Sequence, residues 1–244
     1  MKYNFECNYC RDRGRINGCP KCGKTPEMLT QEKLNEVPIR EIMDLGIPEH
    51  YINNAWNKDI ILEDRDPYID DPDFLRYVNN LTSLYEHLCK GGTVGNSALV
   101  SAPIGFGKTT WVYNCIIELK KHNYNVPPLI NTSQLKSMRT MHYERPTWKN
   151  VYMGWSYTEL LESDVLFVNV TKSTEYVYAA RVILDIVDVR AKYSKPTVVI
   201  SDWSISSLLA TEETGMLLAM LRGGRNVDPN KFLIKIEFSD YKSK

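Results

Sequence analysis

The chain has 244 residues, enough for one domain of about 180 to 200 residues together with a small module. Its composition is that of an ordinary folded protein, and its formal net charge of zero excludes a global basic field that would attract nucleic acid. No apolar run reaches the roughly 18 residues of a membrane helix, and no signal-peptide pattern begins the chain, so we predict a cytoplasmic protein without a membrane partner.

The first predicted element is a metal-binding module over residues 1–26. Its cysteines form two Cys-x2-Cys pairs, Cys7 with Cys10 and Cys19 with Cys22, separated by eight residues. Four thiolates at this spacing can close a tetrahedral Zn²⁺ site, so we predict a structural zinc ion. Paired disulfides and a redox dithiol are the alternatives, and a reducing cytosol disfavours the disulfides.

The predicted zinc module is also basic and aromatic. Residues 2–24 hold six lysines and arginines against two acids, a formal charge of about +4, with Tyr3, Phe5 and Tyr9 interleaved. Such a segment can neutralise and stack on single-stranded nucleic acid, and it can equally dock on a protein through a solvated basic face. The sequence leaves both interpretations open.

Residues 27–72 are predicted to form a linker segment that leads into the main domain. A weak helical pattern covers residues 30–43, and the acidic run at 59–73 is typical of a solvated loop. Apolar residues then recur at helical spacing over 73–90, after a Pro-Asp start. We predict a helix there that packs on the sheet.

Residues 97–110, SALVSAPIGFGKTT, combine a short apolar strand, a glycine loop and the first turn of a long helix. The glycines allow successive N–H groups to converge on an anion, and the helix N-terminus adds a partial positive charge. Lys108 can reach the β- and γ-phosphates of a nucleotide, and the Thr109 hydroxyl can ligate Mg²⁺. We therefore predict an ATP-binding loop, with the candidate residues Pro103, Ile104, Gly105, Phe106, Gly107, Lys108, Thr109 and Thr110.

The loop matches the pattern G-x-x-x-x-G-K-[ST] imperfectly, because Ala102 stands in place of the first glycine. An ordinary connection of strand, turn and helix is the alternative interpretation. The order of strand, glycine loop and helix around Gly-Lys-Thr favours nucleotide binding.

Beyond the loop, helical patterns alternate with apolar strands. Predicted helices cover residues 109–121, 134–142, 158–161, 174–193 and 205–221, and predicted strands cover residues 98–100, 126–131, 164–170, 196–201 and 232–238. The strands at 164–170 and 196–201 are almost wholly apolar, as strands buried on both faces should be. The alternation predicts an α/β fold with a parallel sheet and with the nucleotide at the carboxyl ends of its strands.

Two further groups of residues are predicted to pack in the fold and to take no part in binding or catalysis. The aromatic residues Trp148, Tyr152 and Trp155 are more typical of packing than of a platform on which bases stack. Cys89 and Cys115 stand alone in predicted helices, and we expect both to be buried as small apolar residues.

The order of these motifs resembles that of the DnaC/DnaI-type replicative helicase loaders, a branch of the AAA+ ATPases related to the IstB transposition ATPases. A four-cysteine cluster precedes residues 46–51, GIPEHY, and the phosphate loop follows, as in phage and Gram-positive versions. Residues 163–169, SDVLFVN, resemble the family's apolar strand, and residues 190–202, RAKYSKPTVVISD, resemble its Arg-Tyr, Lys-Pro-Thr and Thr-Ser-Asn elements. The resemblance implies an AAA+/RecA-like P-loop domain over residues 73–244.

The departures from the family pattern fall at the positions that the resemblance implies for hydrolysis. Asn169 and Val170 stand where the family has a Mg²⁺-holding Asp and a water-activating acid, and Asp202 stands where it has a sensor Asn. Arg222 is a candidate for a displaced arginine finger, with a helix cap or a surface arginine as the alternative. Nucleotide binding with weak hydrolysis is therefore implied, unless Asp202 reaches Mg²⁺ or the attacking water and takes over the missing role.

The function implied by the resemblance is that of a helicase loader in DNA replication. Such a protein would bind ATP and the replicative helicase, contact single-stranded DNA, self-associate on the helicase and, if encoded by a phage, act in the host cytoplasm. A non-enzymatic phage adaptor or inhibitor of the host helicase machinery and an IstB-like ATPase on duplex DNA are the alternatives. A primase-like protein lacks support, because no second acidic cluster suggests a polymerising metal site.

Overall fold

The computed structural model describes residues 39–52, 68, 70–90, 97–144, 151–170, 176–204 and 233–238. Several residues named above lie outside these ranges, so the predictions about them stay predictions. They are Cys7, Cys10, Cys19 and Cys22 of the predicted zinc site, Trp148, the predicted helix at 205–221 and Arg222.

Within the described ranges, helices alternate with strands. The helices are α1 Ile39–Asp44, α2 Glu49–Ile52, α3 Pro72–Lys90, α4 Lys108–Lys121, α5 Thr132–Glu144, α6 Tyr157–Glu162 and α7 Tyr176–Lys192. The strands are β1 Ser97–Ser101, β2 Ile130–Asn131, β3 Leu166–Val170, β4 Thr197–Ser201 and β5 Leu233–Glu237. None of the helices in this part of the chain is long and apolar enough to span a membrane.

The five described strands form one parallel sheet in the order β2–β3–β4–β1–β5. Strand β1 lies between β4 and β5, with Ser101 opposite Ser201 and Glu237. Strand β3 borders β4 on its other side, with Val170 opposite Ser201. The carboxyl ends of β1, β3 and β4 therefore lie together at one edge, and the predicted α/β fold with a parallel sheet is confirmed.

Both faces of the sheet are covered, because successive side chains of a strand point to opposite sides. On one face, Ala98 and Val100 join a core that contains residues of α1, α3 and α4 and also Phe167 and Ile200. On the other face, Leu99 joins a core that contains residues of α5, α6 and α7. Burial on both faces explains why the strands are almost continuously apolar in sequence.

Helix α3 begins where the Pro-Asp pair predicts. Pro72 occupies the first helical position, and the Asp71 carboxylate accepts a hydrogen bond of 2.9 Å from the Asp73 N–H. The buried side of α3 contacts α4 and β5. The Trp111 indole N–H on α4 donates to the Leu81 carbonyl on α3 at 3.0 Å, which fixes the two helices together.

The predicted strand at 126–131 is shorter in the structure, where only Ile130 and Asn131 pair with β3. Pro127 and Pro128 have no N–H group to donate to a neighbouring strand, which explains why the pairing starts after them. From α3 onwards, the other described elements begin and end within about two residues of their predictions, which is the usual uncertainty of helix and strand ends. Helix α1 ends one residue beyond the weak helical pattern at 30–43, and α2 was not predicted.

The aromatic stretch around residue 153 forms a tight turn. Tyr152 and Trp155 are joined by two main-chain hydrogen bonds of 2.9 Å, and Met153 and Gly154 between them have φ of 49° and 84°. Both aromatic rings pack against the core that covers the second face of the sheet. The packing interpretation is confirmed for these two aromatic residues.

Cys89 and Cys115 are buried free thiols, as predicted. The Cys89 Sγ lies 3.8 Å from the Cys115 carbonyl, so the two residues meet where α3 packs on α4. Burial raises the pKa of the Cys115 thiol well above its usual value, which keeps it protonated near neutral pH.

Arg190 is a fully buried charged residue that joins α6, α7 and β4. Its guanidinium donates to the carbonyls of Leu160 at 2.7 Å, Ser163 at 2.9 Å and Pro196 at 2.7 Å, and to the Thr197 hydroxyl at 3.1 Å. Burial lowers the pKa of Arg190 to about 9, so the side chain is still charged at neutral pH. Main-chain carbonyls provide most of its direct hydrogen-bond partners.

Candidate phosphate-binding site

The loop between β1 and α4 turns sharply at two glycines. Gly105 and Gly107 have φ of 90° and 75°, a left-handed conformation that residues with a Cβ rarely adopt. Ala102 is not among the described residues with a positive φ, so alanine fits the position where the pattern has its first glycine. The Ala102 N–H donates to the Ser201 carbonyl at 3.2 Å, which extends the pairing of β1 with β4.

Helix α4 starts directly after the loop. Gly107 caps the helix without a side-chain hydrogen bond, and the first turn contains no acidic residue. Lys120 and Lys121 lie in the last turn, where cations are favourable. The positive end of the helix dipole therefore faces the loop, and no acidic residue in the first turn of α4 offsets it. This arrangement favours the binding of an anion at the loop.

Phe106 anchors the loop in the core. It is 7% exposed, and its ring centroid lies 4.9 Å from that of Phe238 and 5.7 Å from that of Phe74. The Tyr77 hydroxyl on α3 donates to the Phe106 carbonyl at 3.1 Å. Because its side chain is buried in this aromatic cluster, Phe106 can offer a ligand only main-chain atoms.

The other predicted loop residues differ in exposure. Ile104 is 77% exposed, and Pro103 is half-buried. Thr109 is exposed in the first turn of α4, whereas Thr110 is half-buried. Exposure leaves the Thr109 side chain accessible for the predicted contact with Mg²⁺.

Lys108 directs its charge towards the loop and the end of β4. The residue is 6% exposed. Its Nζ donates to the carbonyls of Ala102 at 2.6 Å and Pro103 at 2.8 Å, and it forms an ion pair of 2.8 Å with the Asp202 Oδ1. These three acceptors match the three N–H donors of an ammonium group.

The main chain around Asp202 is bonded to the strands on both sides. The Asp202 N–H donates to the Val170 carbonyl at 3.3 Å, at the end of β3. The next residue, Trp203, accepts a hydrogen bond of 2.5 Å from the Ser101 hydroxyl and donates its N–H to the Ser201 hydroxyl at 3.0 Å. Asp202 is therefore held at the meeting point of β1, β3 and β4.

The end of β3 carries no acid among its described residues. Asn169 is half-buried and lies on the side of β3 that Phe167 shares with α4. Val170 is 2% exposed and belongs to the core on the opposite face. Val170 thus lacks both the chemistry and the orientation of a base, and Asn169 can offer only a neutral amide.

The structure thus brings Lys108, Asp202 and the end of β3 at Asn169 together at one edge of the sheet. Tyr77 and Phe238 support the loop but had no functional prediction from the sequence. Both occupy apolar positions of predicted elements, and no local signal indicates their contact with the loop.

Oxygen ligands of the kind that Mg²⁺ prefers lie near the loop. They are the Thr109 hydroxyl and the Asp202 carboxylate, and phosphate oxygens and waters usually complete such a site. Across the described ranges, no group of three or more His, Cys, Asp or Glu residues forms a ready-made metal site. The two oxygen donors beside the loop suit a metal whose remaining ligands come from a phosphate and from water.

Solved structures similar to this chain include those of helicase loaders. DnaI is 14% identical with a TM-score of 0.47, over 80% of this chain and 93% of that chain. The DnaC helicase loader is 14% identical with a TM-score of 0.41, over 69% of this chain and 92% of that chain. The family that the motif order resembles is represented among these structures.

The initiator DnaA is also similar. AMPPCP-bound DnaA from Aquifex aeolicus is 16% identical with a TM-score of 0.44, over 67% of this chain and 46% of that chain. The chain thus spans about half the length of the DnaA structures that it matches. No protein-family model matches the sequence, and no curated protein is significantly similar to it. At these identities the likeness is one of fold.

Proposed function

We propose that this chain binds Mg²⁺-ATP at the loop between β1 and α4 and acts as a helicase loader in DNA replication. The observation that supports nucleotide binding most directly is the position of Lys108, buried at the start of α4 with its ammonium turned back to the loop carbonyls. The loader role rests on the order of motifs in the sequence. Its partners would be a replicative helicase, single-stranded DNA and further copies of the chain.

Each loop residue has a proposed task. Gly105 and Gly107 turn the main chain around the phosphates, and Lys108 donates to the β- and γ-phosphates. Thr109 and Asp202 would hold Mg²⁺, which neutralises phosphate charge when it is bound. The half-buried Pro103 and Thr110, the exposed Ile104 and the buried Phe106 complete the predicted cradle through main-chain atoms.

Hydrolysis is proposed to be weak. Catalytic acids and arginine fingers together contribute several orders of magnitude to nucleotide hydrolysis. Here Asn169 is neutral, Val170 is buried on the other face, and Asp202 is the candidate that would take over the role of the acid. Arg222, outside the described residues, is the candidate arginine finger.

The division of labour along the chain is also a proposal. The zinc module at 1–26 would hold the helicase, and its basic and aromatic residues would contact single-stranded DNA. The linker at 27–72 would join it to the ATP-binding domain at 73–244. Nucleotide would then act more as a structural ligand than as a fuel.

Lys108→Ala tests the proposed site. We expect the variant to lose at least about tenfold in affinity for Mg²⁺-ATP, because it removes the cation that meets the phosphates. Calorimetric titration of the purified full chain measures the affinity, and phosphate release with helicase and single-stranded DNA measures turnover. Lys192→Ala on the exposed end of α7 is the control and should bind like the wild type.

Equal affinity of Lys108→Ala and the wild type would contradict the proposed site. Tight binding with negligible turnover, even with helicase and DNA present, would support a loader that uses nucleotide as a ligand. A second candidate, a non-enzymatic adaptor, is favoured by the neutral Asn169 and the buried Val170. Equal binding of the helicase with and without nucleotide would favour the adaptor.

A further inference from the structure

The ammonium of Lys108 has no donor to spare in this structure. An ammonium carries three N–H donors, and Ala102, Pro103 and Asp202 accept at 2.6, 2.8 and 2.8 Å. Two of these acceptors are main-chain carbonyls of the loop, and the third is the side chain of Asp202. A phosphate that takes a hydrogen bond from Lys108 must therefore replace one of them.

Asp202 is the acceptor that can move without disturbing the fold. Its own N–H is bonded to Val170, and the following residue is bonded to Ser101 and Ser201. The main chain at Asp202 is thus held to the ends of three strands. Only rotation of the Asp202 side chain can carry its carboxylate away from Lys108.

Asp202 is also the acceptor that a phosphate would repel. Two anions that compete for one buried cation raise each other's free energy, and the effect is strong at sites shielded from water. Asp202 is 11% exposed at its side chain, so solvent screens its charge only slightly. The neighbouring strand β3 ends in Asn169 and Val170, and neither residue carries a charge that could take part in this competition.

We propose that Asp202 is an exchangeable counter-ion of Lys108. Phosphate replaces the carboxylate on Lys108, and the released carboxylate turns to the Mg²⁺ that accompanies the nucleotide. This inference rests on the proposed nucleotide binding. The exchange couples the binding of Mg²⁺ to the binding of the nucleotide, because a nucleotide that arrives without metal is repelled by the Asp202 carboxylate.

The test compares ATP affinity in excess Mg²⁺ with ATP affinity in EDTA, by calorimetric titration of the full chain. The wild type should bind Mg²⁺-ATP at least about tenfold more tightly than metal-free ATP. Asp202→Asn keeps an acceptor oxygen for Lys108 but removes the charge. It should bind metal-free ATP about tenfold more tightly than the wild type does, and the effect of Mg²⁺ should fall to within about threefold.

Two further variants control for charge and for folding. Asp188→Asn removes one negative charge from α7, where Asp188 pairs with Lys192 at 2.7 Å, and should keep the metal dependence of the wild type. Asp202→Glu keeps the carboxylate and should keep a metal effect of at least about fivefold. Circular dichroism and thermal midpoints of all four proteins establish that each is folded.

An unchanged effect of Mg²⁺ in Asp202→Asn would overturn the exchange, and so would a weaker affinity of that variant for metal-free ATP. Loss of the metal effect in Asp202→Glu would also overturn it. A folded wild type that binds ATP neither with nor without Mg²⁺ would instead refute the proposed function. The two failures are therefore distinguishable in one set of titrations.

Discussion

Lys108 carries its charge in the interior of the protein, and its surroundings decide what the loop can bind. Burying a cation is costly unless it is paired and hydrogen-bonded, and here Asp202 and two loop carbonyls supply the partners. The family resemblance implies an acid at the end of β3, where this chain has Asn169. Among the described residues, the lysine thus pairs with a negative charge directly after β4 instead of at the end of β3.

Arg190→Lys is expected to lower the free energy of unfolding by about 2 to 4 kcal/mol. The guanidinium binds acceptors on three segments at once, whereas an ammonium has three donors on a flexible stem and cannot reproduce a planar fork. Urea denaturation followed by circular dichroism measures the difference.

The matched control for this prediction is Arg181→Lys, at an exposed position of the same helix. It should change the free energy of unfolding by less than about 0.5 kcal/mol. Similar effects of the two substitutions would show that the carbonyl contacts of Arg190 do not stabilise the fold.

At the residue scale, the sequence predicts the members of the site better than their contacts. Gly105, Gly107 and Lys108 are recognisable because their order along the chain is itself the signal. The contact of Lys108 with Asp202 joins distant parts of the chain and depends on β4 lying beside β1, which no local pattern encodes. The acceptors of Arg190 are unpredictable for the same reason.

At the scale of elements, the phosphate loop is held by its neighbours. Its start is joined to β4 through Ala102, and its middle is joined to α3 through Tyr77 and Phe106. Burial raises the pKa of Tyr77, so its hydroxyl stays protonated and remains a donor at any physiological pH. Helix α3 is therefore part of the support of the candidate site.

Tyr77→Phe is expected to lower the free energy of unfolding by about 1 kcal/mol, because it leaves the buried Phe106 carbonyl without this donor. The ring is kept, so the aromatic cluster stays packed. With the loop less firmly held, ATP affinity should fall by about two- to fivefold. Denaturation and calorimetric titration measure the two effects.

Tyr193→Phe provides the comparison, because Tyr193 is 72% exposed at the end of α7. It should alter neither stability nor affinity. If Tyr77→Phe also alters neither, the hydrogen bond to Phe106 does not support the loop.

Most elements were predictable because apolar spacing and breaks in the chain are local signals. The N-terminal end of α3 follows from Pro72 and Asp73, and the buried strands β3 and β4 follow from apolar runs. The prolines at 127 and 128 predict only a short strand within 126–131, and the structure pairs just its last two residues with β3. The order of the strands was not predicted, since it depends on contacts between distant segments.

At the scale of the whole molecule, we predict separate roles for the predicted zinc module and the sheet domain. The purified chain is expected to contain about one Zn²⁺ per molecule, and Cys19→Ser should lose it because three thiolates do not complete the site. Elemental analysis measures the metal. Mg²⁺-ATP binding should persist in Cys19→Ser, since the loop belongs to the sheet domain.

Cys89→Ala is the control for this substitution, because Cys89 is a buried free thiol in the α3–α4 contact. It should keep its zinc. Retention of zinc by Cys19→Ser would exclude the predicted ligand set, and loss of ATP binding together with zinc would show that the two modules depend on each other.

The described residues include the candidate phosphate loop and the parallel sheet that holds it. The proposal of a helicase and single-stranded DNA as partners rests instead on the order of motifs along the chain. Recognition of a helicase or of DNA depends on surface residues that no periodicity marks, so the sequence indicates these partners only through resemblance.

Trp203 directly follows Asp202, and its main chain is bonded to Ser101 and Ser201. Its indole packs against the core on the second face of the sheet, one residue after the carboxylate that is proposed to change its partner. Because the emission of tryptophan shifts with nearby charge, Trp203 is a candidate optical probe of that exchange. Subtracting the spectrum of Trp203→Phe would isolate this signal from the other four tryptophans. The chain therefore allows the events at its loop to be followed in real time without an attached dye.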